Sequence, residues 1–172
     1  MALPNQHPQI RIHTTSGDIL VELYPDRTPL TVSNFIEYVR DGFYSNTLFH
    51  RVIDNFIIQG GGYEPGMIQK TTRPPIQNES QKGLRNERGT IAMARISTQR
   101  DSATSQFFIN TRDNDILDYS GSDEAGSGYC AFGRVIDGME VVERIEGTAT
   151  GSLKDMRDVP LKEIIVEQME LV

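Results

Sequence analysis

The chain has 172 residues, with 37% hydrophobic and 24% charged side chains and a formal net charge of −7. That length and balance suit one globular domain spanning residues 1–172. The negative charge argues against non-specific binding to nucleic acid or to an anionic membrane surface. A single cysteine, Cys130, excludes an internal disulfide and fits a reducing compartment.

The first nine residues carry two prolines and no apolar run, so they do not read as a signal peptide, and no stretch approaches membrane-span length. These features predict a cytoplasmic protein. Residues 10–15 and 18–24 flank a Ser16-Gly17 turn signal and predict a hairpin, with Ile19, Val21 and Leu23 on one face. Val32, Phe35, Ile36 and Val39 follow helical spacing, with Thr28 as the expected cap, Pro29 in the first turn and Gly42 as a stop. Strand patterns follow at residues 49–53, 56–60, 90–95, 106–110, 131–136 and 162–171, making eight with the hairpin. A second helix is expected at 139–146, ended by Gly147. Two helices cannot cover both faces of an open eight-stranded sheet. The expected fold is therefore mainly β: a closed eight-stranded antiparallel barrel capped by two α-helices. Residues 61–89 and 113–128 read as long surface loops.

Motifs for several chemistries are missing. There is no P-loop, no zinc-binding H-E-x-x-H, no paired Cys-x-x-Cys and no nucleophile elbow. Gly60-Gly61-Gly62 has no lysine at P-loop spacing and reads as a bulge or turn. Asp113-Asn114-Asp115 lacks the rest of a calcium loop and reads as a turn. Asn78-Glu79-Ser80 is a glycosylation sequon by pattern, incidental in a cytoplasmic protein.

Two segments combine aromatic, amide and cationic residues. One is Phe49-His50-Arg51-Val52-Ile53-Asp54-Asn55-Phe56-Ile57-Ile58-Gln59-Gly60-Gly61-Gly62, and the other is Ser105-Gln106-Phe107-Phe108-Ile109-Asn110. Strand alternation puts Gln106, Phe108 and Asn110 on one face and Phe107 and Ile109 on the other. Ile57 and Gln59 share a face in the same way. Each residue alone has an ordinary role: a surface ion pair for Arg51, core packing for Phe56 and Phe108, and backbone satisfaction for the glutamines.

As an ordered set, Phe-His-Arg-Val-Ile, then Phe-x-x-Gln-Gly-Gly, then Ser-Gln-Phe-Phe-Ile resembles the cyclophilin family. The resemblance continues through Asn34-Phe35, Gly42-Phe43-Tyr44, Gly89-Thr90-Ile91-Ala92-Met93-Ala94 and Phe132-Gly133-Arg134-Val135-Ile136. The stretch 60–67 and Gly128-Tyr129-Cys130 resemble the bacterial cytoplasmic branch. The resemblance implies a barrel with two capping helices and a peptidyl-prolyl cis-trans isomerase. No cofactor or metal is implied, and the expected partners are proline-containing peptides and unfolded proteins. It implies Arg51 as the catalytic arginine with Gln59 beside it. Phe56, Ile57, Phe108 and Leu117 would form the proline pocket, with Gln106, Arg95, Ile116 and Tyr129 also facing substrate. Three departures stand out. Ile116 replaces a tryptophan, Arg95 replaces an asparagine, and the loop 96–104 is longer than in the short eukaryotic forms. The Ile116 change implies weak cyclosporin binding. The chain is read as a monomer. A cyclophilin-like barrel that only binds proline segments is the runner-up; a lipocalin-like carrier would need an open apolar interior, where Met93, Phe107 and Ile109 are expected instead.

Overall fold

The computed structural model describes residues 7–121 and 126–172. The first six residues of the N-terminal segment, and residues 122–125 of the expected second long loop, lie outside the described residues. No helix among the described residues is long and apolar enough to cross a membrane.

In chain order the elements are β1 (Gln9–Thr14), β2 (Gly17–Leu23), α1 (Pro29–Arg40), β3 (Thr47–Leu48), β4 (Arg51–Ile53) and β5 (Ile57–Gly60). There follow β6 (Tyr63–Glu64), β7 (Ile68–Gln69), β8 (Thr90–Met93), β9 (Phe107–Asn110) and a 3-10 turn at Asp115–Leu117. The chain ends with β10 (Ala131–Asp137), α2 (Met139–Glu146), β11 (Thr150–Leu153), β12 (Met156–Pro160) and β13 (Ile165–Leu171). The main sheet has nine strands in the order β3-β13-β1-β2-β10-β8-β9-β5-β4, and every pairing is antiparallel.

This corrects the expectation of a closed eight-stranded barrel. The sheet is an open half-barrel whose edge strands, β3 and β4, do not pair. The physical reason lies in the chain itself. Only Phe49 and His50 separate the two edges, and they carry the chain onward from β3 to β4 rather than turning it back, so β3 bonds to β13 and β4 to β5. The predicted strand 49–53 thus forms only over Arg51–Ile53, and the preceding Thr47–Leu48 is a separate short strand. Two small ribbons, β6-β7 and β11-β12, were also not expected.

The hairpin β1-β2 forms with Thr15-Ser16 as its two-residue turn, one position earlier than predicted. Gly17 becomes the first strand residue at φ +128°, a backbone that L side chains rarely adopt. Helix α1 ends as expected, with Gly42 in the left-handed region. Its start differs. Thr28 makes no side-chain cap, and the Thr31 amide instead donates to Glu79 Oε1 at 2.7 Å.

Alternation along the strands separates two apolar bodies. The inward residues, including Ile10, Ile12, Ile19, Val21, Val52, Ile58, Ile91, Phe107 and Ile109, join Phe35, Tyr38 and Tyr44 in the main core. Phe107 meets the rings of Phe35, Tyr44 and Phe49 edge-on at 5.6–5.8 Å, the favoured geometry for aromatic pairs. The interior is filled, as a carrier barrel's would not be. On the outward face a smaller cluster forms from Ile57, Ala92, Phe108 and Ala131.

Candidate active site

That outward cluster is the floor of a cleft. Arg51 on β4 stands opposite Gln59 on β5, Gln59 opposite Phe108 on β9, and Phe108 opposite Ala92 on β8. A side chain on one strand thus sits beside the next in a straight row across four strands, because antiparallel register brings directly opposed residues to the same face. The row passes from charged to polar to aromatic. Phe108 is 2% exposed, and its small neighbours Ala92 and Ala131 leave room above them.

The cleft has a volume of about 290 Å³ and is lined by Arg51, Phe56, Ile57, Gln59, Ala94, Arg95, Phe108, Leu117 and Tyr129. Eight of these nine were singled out in the sequence. Ala94 was missed, since nothing about an alanine at a strand end signals a binding wall. Gln106 lines an adjoining recess with Gln59, Ala94 and Arg95. Ile116 is not brought into the cleft lining. It stands 79% exposed on the 3-10 turn, next to Leu117.

The polar groups form a directed chain. Arg51 Nη1 donates to Gln59 Oε1 at 3.0 Å, and Gln59 Nε2 donates to Gln106 Oε1 at 2.9 Å. Gln59 therefore fixes one edge of the guanidinium and leaves other N–H donors for a ligand. Gly62 keeps Gln106 in place, because a Cβ there would stand 2.6 Å from the Gln106 side chain. Gly61, at φ +90°, lies under the Tyr44 and Phe107 rings, and this accounts for the glycine run.

Arg95 is placed at the cleft, but its guanidinium is already engaged. Nε donates to the Gly128 carbonyl at 2.9 Å, Nη1 to the carbonyls of Ile96 and Ser97, and Nη2 to Ser127 Oγ. Its charge stacks on the Tyr129 ring at 4.4 Å, and that ring meets Phe108 edge-on at 5.8 Å. His50, beside Arg51, is 3% exposed and packs on Tyr63. Burial, helped by the Arg51 charge, lowers its pKa to about 4, so it is neutral at pH 7. Burial pushes the Cys130 thiol up to about 12, which makes it a poor nucleophile.

The family model for cyclophilin type peptidyl-prolyl cis-trans isomerases matches residues 9–171. The chain belongs to this family. Peptidyl-prolyl cis-trans isomerase B of Escherichia coli strain K12 is 53% identical over 160 residues, covering 93% of this chain and 97% of that protein. Peptidyl-prolyl cis-trans isomerase cyp18 of Streptomyces antibioticus is 47% identical over 163 residues, covering 95% and 98%. Among solved structures, a cyclophilin type isomerase of Cryptosporidium parvum superposes with a TM-score of 0.80 at 30% identity, covering 95% of this chain and 98% of that one. That structure was determined in the presence of the dipeptide Ala-Pro. Cyclophilin-type members are isomerases acting on prolyl peptide bonds. Rotation about a peptide bond breaks no covalent bond and needs no nucleophile, and the cleft sets a guanidinium beside an apolar floor.

Proposed function

We propose that the cleft takes an X-Pro segment and lowers the barrier to rotation about its peptide bond, with Arg51 as the catalytic group. The observation that carries this reading is the row Arg51, Gln59, Phe108, which sets a braced guanidinium beside an apolar floor. Rotation must overcome amide resonance, a barrier of about 18–20 kcal/mol. As the bond twists, the proline nitrogen loses conjugation and its lone pair becomes an acceptor. Arg51 then donates to it, a contact made in the twisted state and not in the planar one, so it speeds the reaction without equally tightening ground-state binding. Phe56, Ile57, Phe108 and Leu117 hold the ring and exclude water, which strengthens the donor. Gln59 orients Arg51, and Gln106 offers an amide to the peptide backbone.

A 10⁵-fold acceleration requires about 7 kcal/mol. One well-aimed donor in a dry site supplies roughly 3–4 kcal/mol. The rest is assigned to desolvation and to holding the peptide in a twist-prone shape.

In this reading one domain acts without cofactor, as a cytoplasmic monomer, on flexible or unfolded proline-containing segments and so assists folding. Cyclosporin binds weakly, because Ile116 has neither a hydrogen-bond donor nor a flat ring to cover a ligand's flank. NMR exchange on a short X-Pro peptide tests the activity. At sub-stoichiometric enzyme the cis–trans exchange rate rises, the cis fraction stays fixed, and a chelator changes nothing. Absence of acceleration overturns the reading.

A further inference from the structure

The cleft walls stand on two kinds of backbone. Ile57, Gln59 and Phe108 lie on β5 and β9, which are bonded to neighbours on both sides. Phe56, Leu117 and Tyr129 lie on a turn, the 3-10 turn and a loop, outside the strand ladders. Behind these three walls, three buried asparagines run head to tail. Asn114 Nδ2 donates to the Phe56 carbonyl at 2.9 Å and to Asn110 Oδ1 at 2.8 Å. Asn110 Nδ2 donates to Asn86 Oδ1 at 3.1 Å and to Thr90 Oγ1 at 2.9 Å. Asn86 Nδ2 donates to the carbonyls of Tyr129 at 3.1 Å and Leu117 at 3.2 Å, and to Asp118 Oδ1 at 3.2 Å.

The direction of the chain is forced. Backbone carbonyls accept and cannot donate, so Asn114 and Asn86 must present nitrogen to them. Asn86 Oδ1 then faces Asn110 and needs a donor, which leaves Asn110 Oδ1 to accept from Asn114. The three residues are 0–1% exposed and none lines the cleft. All three side-chain nitrogens are bonded and, of the three amides, Asn114 Oδ1 alone has no partner, while turning Asn114 or Asn86 over would set an amide oxygen against a backbone carbonyl away from water.

We propose that Asn86, Asn110 and Asn114 are positioning residues of the isomerase cleft: one amide chain that sets the backbone under Phe56, Leu117 and Tyr129, three of the five cleft residues lying outside the strands. This rests on the reading of the cleft as an X-Pro site. The three walls grip the ring in planar and twisted states alike, so loosening them weakens binding more than turnover.

The test is steady-state kinetics on an X-Pro peptide, with thermal melts alongside. Asn110→Ala cuts the chain at its centre, and KM rises about ten-fold while kcat stays within about three-fold. Thr90→Val removes the other Asn110 partner and leaves the chain to the walls intact. It lowers the melting temperature and leaves KM unchanged. A folded Asn110→Ala protein with wild-type KM overturns the proposal, and so does Thr90→Val raising KM equally. If Asn110→Ala does not fold, Asn114→Ala decides, since it removes one of the two donors to the Phe56 carbonyl, the other being the Thr111 amide, and leaves Asn86 bonded to the Leu117 and Tyr129 carbonyls: raised KM supports the proposal and unchanged KM overturns it. An inactive wild-type protein would instead overturn the reading of the cleft.

Discussion

On the proposed reading, removing the Arg51 guanidinium deletes the donor to the twisted bond and little else, since its bonded partner is a half-buried glutamine. Arg51→Ala is expected to lower kcat/KM by about 10²–10³-fold with an unchanged circular dichroism spectrum. Arg51→Lys should fail substantially as well, because a point ammonium cannot bond Gln59 and the proline nitrogen with one planar fork. Phe107 and Phe108 separate stability from activity. Phe107 is fully buried among aromatic rings, so Phe107→Ala should cost about 3–5 kcal/mol in urea unfolding. Phe108 opens onto the cleft, so Phe108→Ala should cost less stability and more kcat/KM. The opposite pattern would put the wrong face of β9 in the core. The opposite faces of Phe107 and Phe108 were readable in the sequence because period-two alternation separates neighbours, while which of them faces the cleft came from the family resemblance. His50 was harder, since no pattern shows whether a strand histidine is buried. Its folded pKa of about 4 lies below the ordinary 6.5. As pH falls below 6.5 the unfolded chain takes up a proton that the folded chain refuses, so stability drops between 6.5 and 4, by roughly 3 kcal/mol in all. His13 acts in the other window. Hydrogen bonds to Glu170 and Asp18 raise its pKa, so its contribution is complete below 6.5 and is lost as pH rises through the folded value. His50→Gln should therefore flatten urea-unfolding stability between pH 6.5 and 4 and leave the slope above 6.5 intact. An unchanged acid slope would contradict the burial of a neutral His50.

At the level of elements, helix α1 owes its first turn to a residue 48 positions later in the chain. Glu79 Oε1 accepts from the Thr31 amide and from Thr31 Oγ1, both at 2.7 Å. A carboxylate at a helix N-terminus satisfies an orphan N–H and meets the positive end of the dipole. Glu79→Ala should cost about 1–2 kcal/mol in urea unfolding, with Glu79→Gln intermediate. Thr28→Val should cost less, because the Thr28 hydroxyl makes one long bond to the Tyr24 carbonyl at 3.4 Å. If Thr28→Val costs more than Glu79→Ala, the cap is the local one after all. The sequence predicts a cap at Thr28 because local rules see only neighbours, whereas Glu79 reaches α1 by tertiary folding. The same limit explains the other misses. The hydrophobic stripe of α1, the hairpin and the strands at 90–93 and 107–110 carry strong local periodicity and are found. The β11-β12 ribbon has no buried face until Val159 and Pro160, so alternation does not mark it. The split between β3 and β4 depends on which distant strand each piece meets. The asparagine chain was invisible for a related reason: Asn86, Asn110 and Asn114 look like three loop or strand-end residues until the fold stacks them.

For the whole molecule, the last strand completes the sheet begun by the first. β13 lies between β1 and β3 and is bonded to both, and the Val172 amide donates to the Gln9 carbonyl at 3.0 Å. The sheet therefore cannot be completed until nearly the whole chain is present. Without β13, β1 and β3 each expose a bare edge, and β3, two residues long, loses the one strand it pairs with. The core also loses Ile164, Val166 and Met169, which are 6%, 0% and 5% exposed. Burying such side chains is worth roughly 1.5–3 kcal/mol each. A domain of this size is stable by only about 5–15 kcal/mol, so the apolar loss and the broken ladders together remove most or all of that margin. A chain ending at Leu161 is expected to show no cooperative thermal transition, to lose its near-ultraviolet circular dichroism and to leave X-Pro exchange at the uncatalysed rate. Val166→Ala, which trims one fully buried side chain and keeps the ladder, should instead lower the urea midpoint while activity per folded molecule stays at the wild-type level. β13 carries no cleft residue, so its deletion acts through folding and not through the chemistry. A cooperative melt with measurable catalysis from the shortened chain would show that the half-barrel is held by β1, β2 and β10 without the strand that joins β1 to β3.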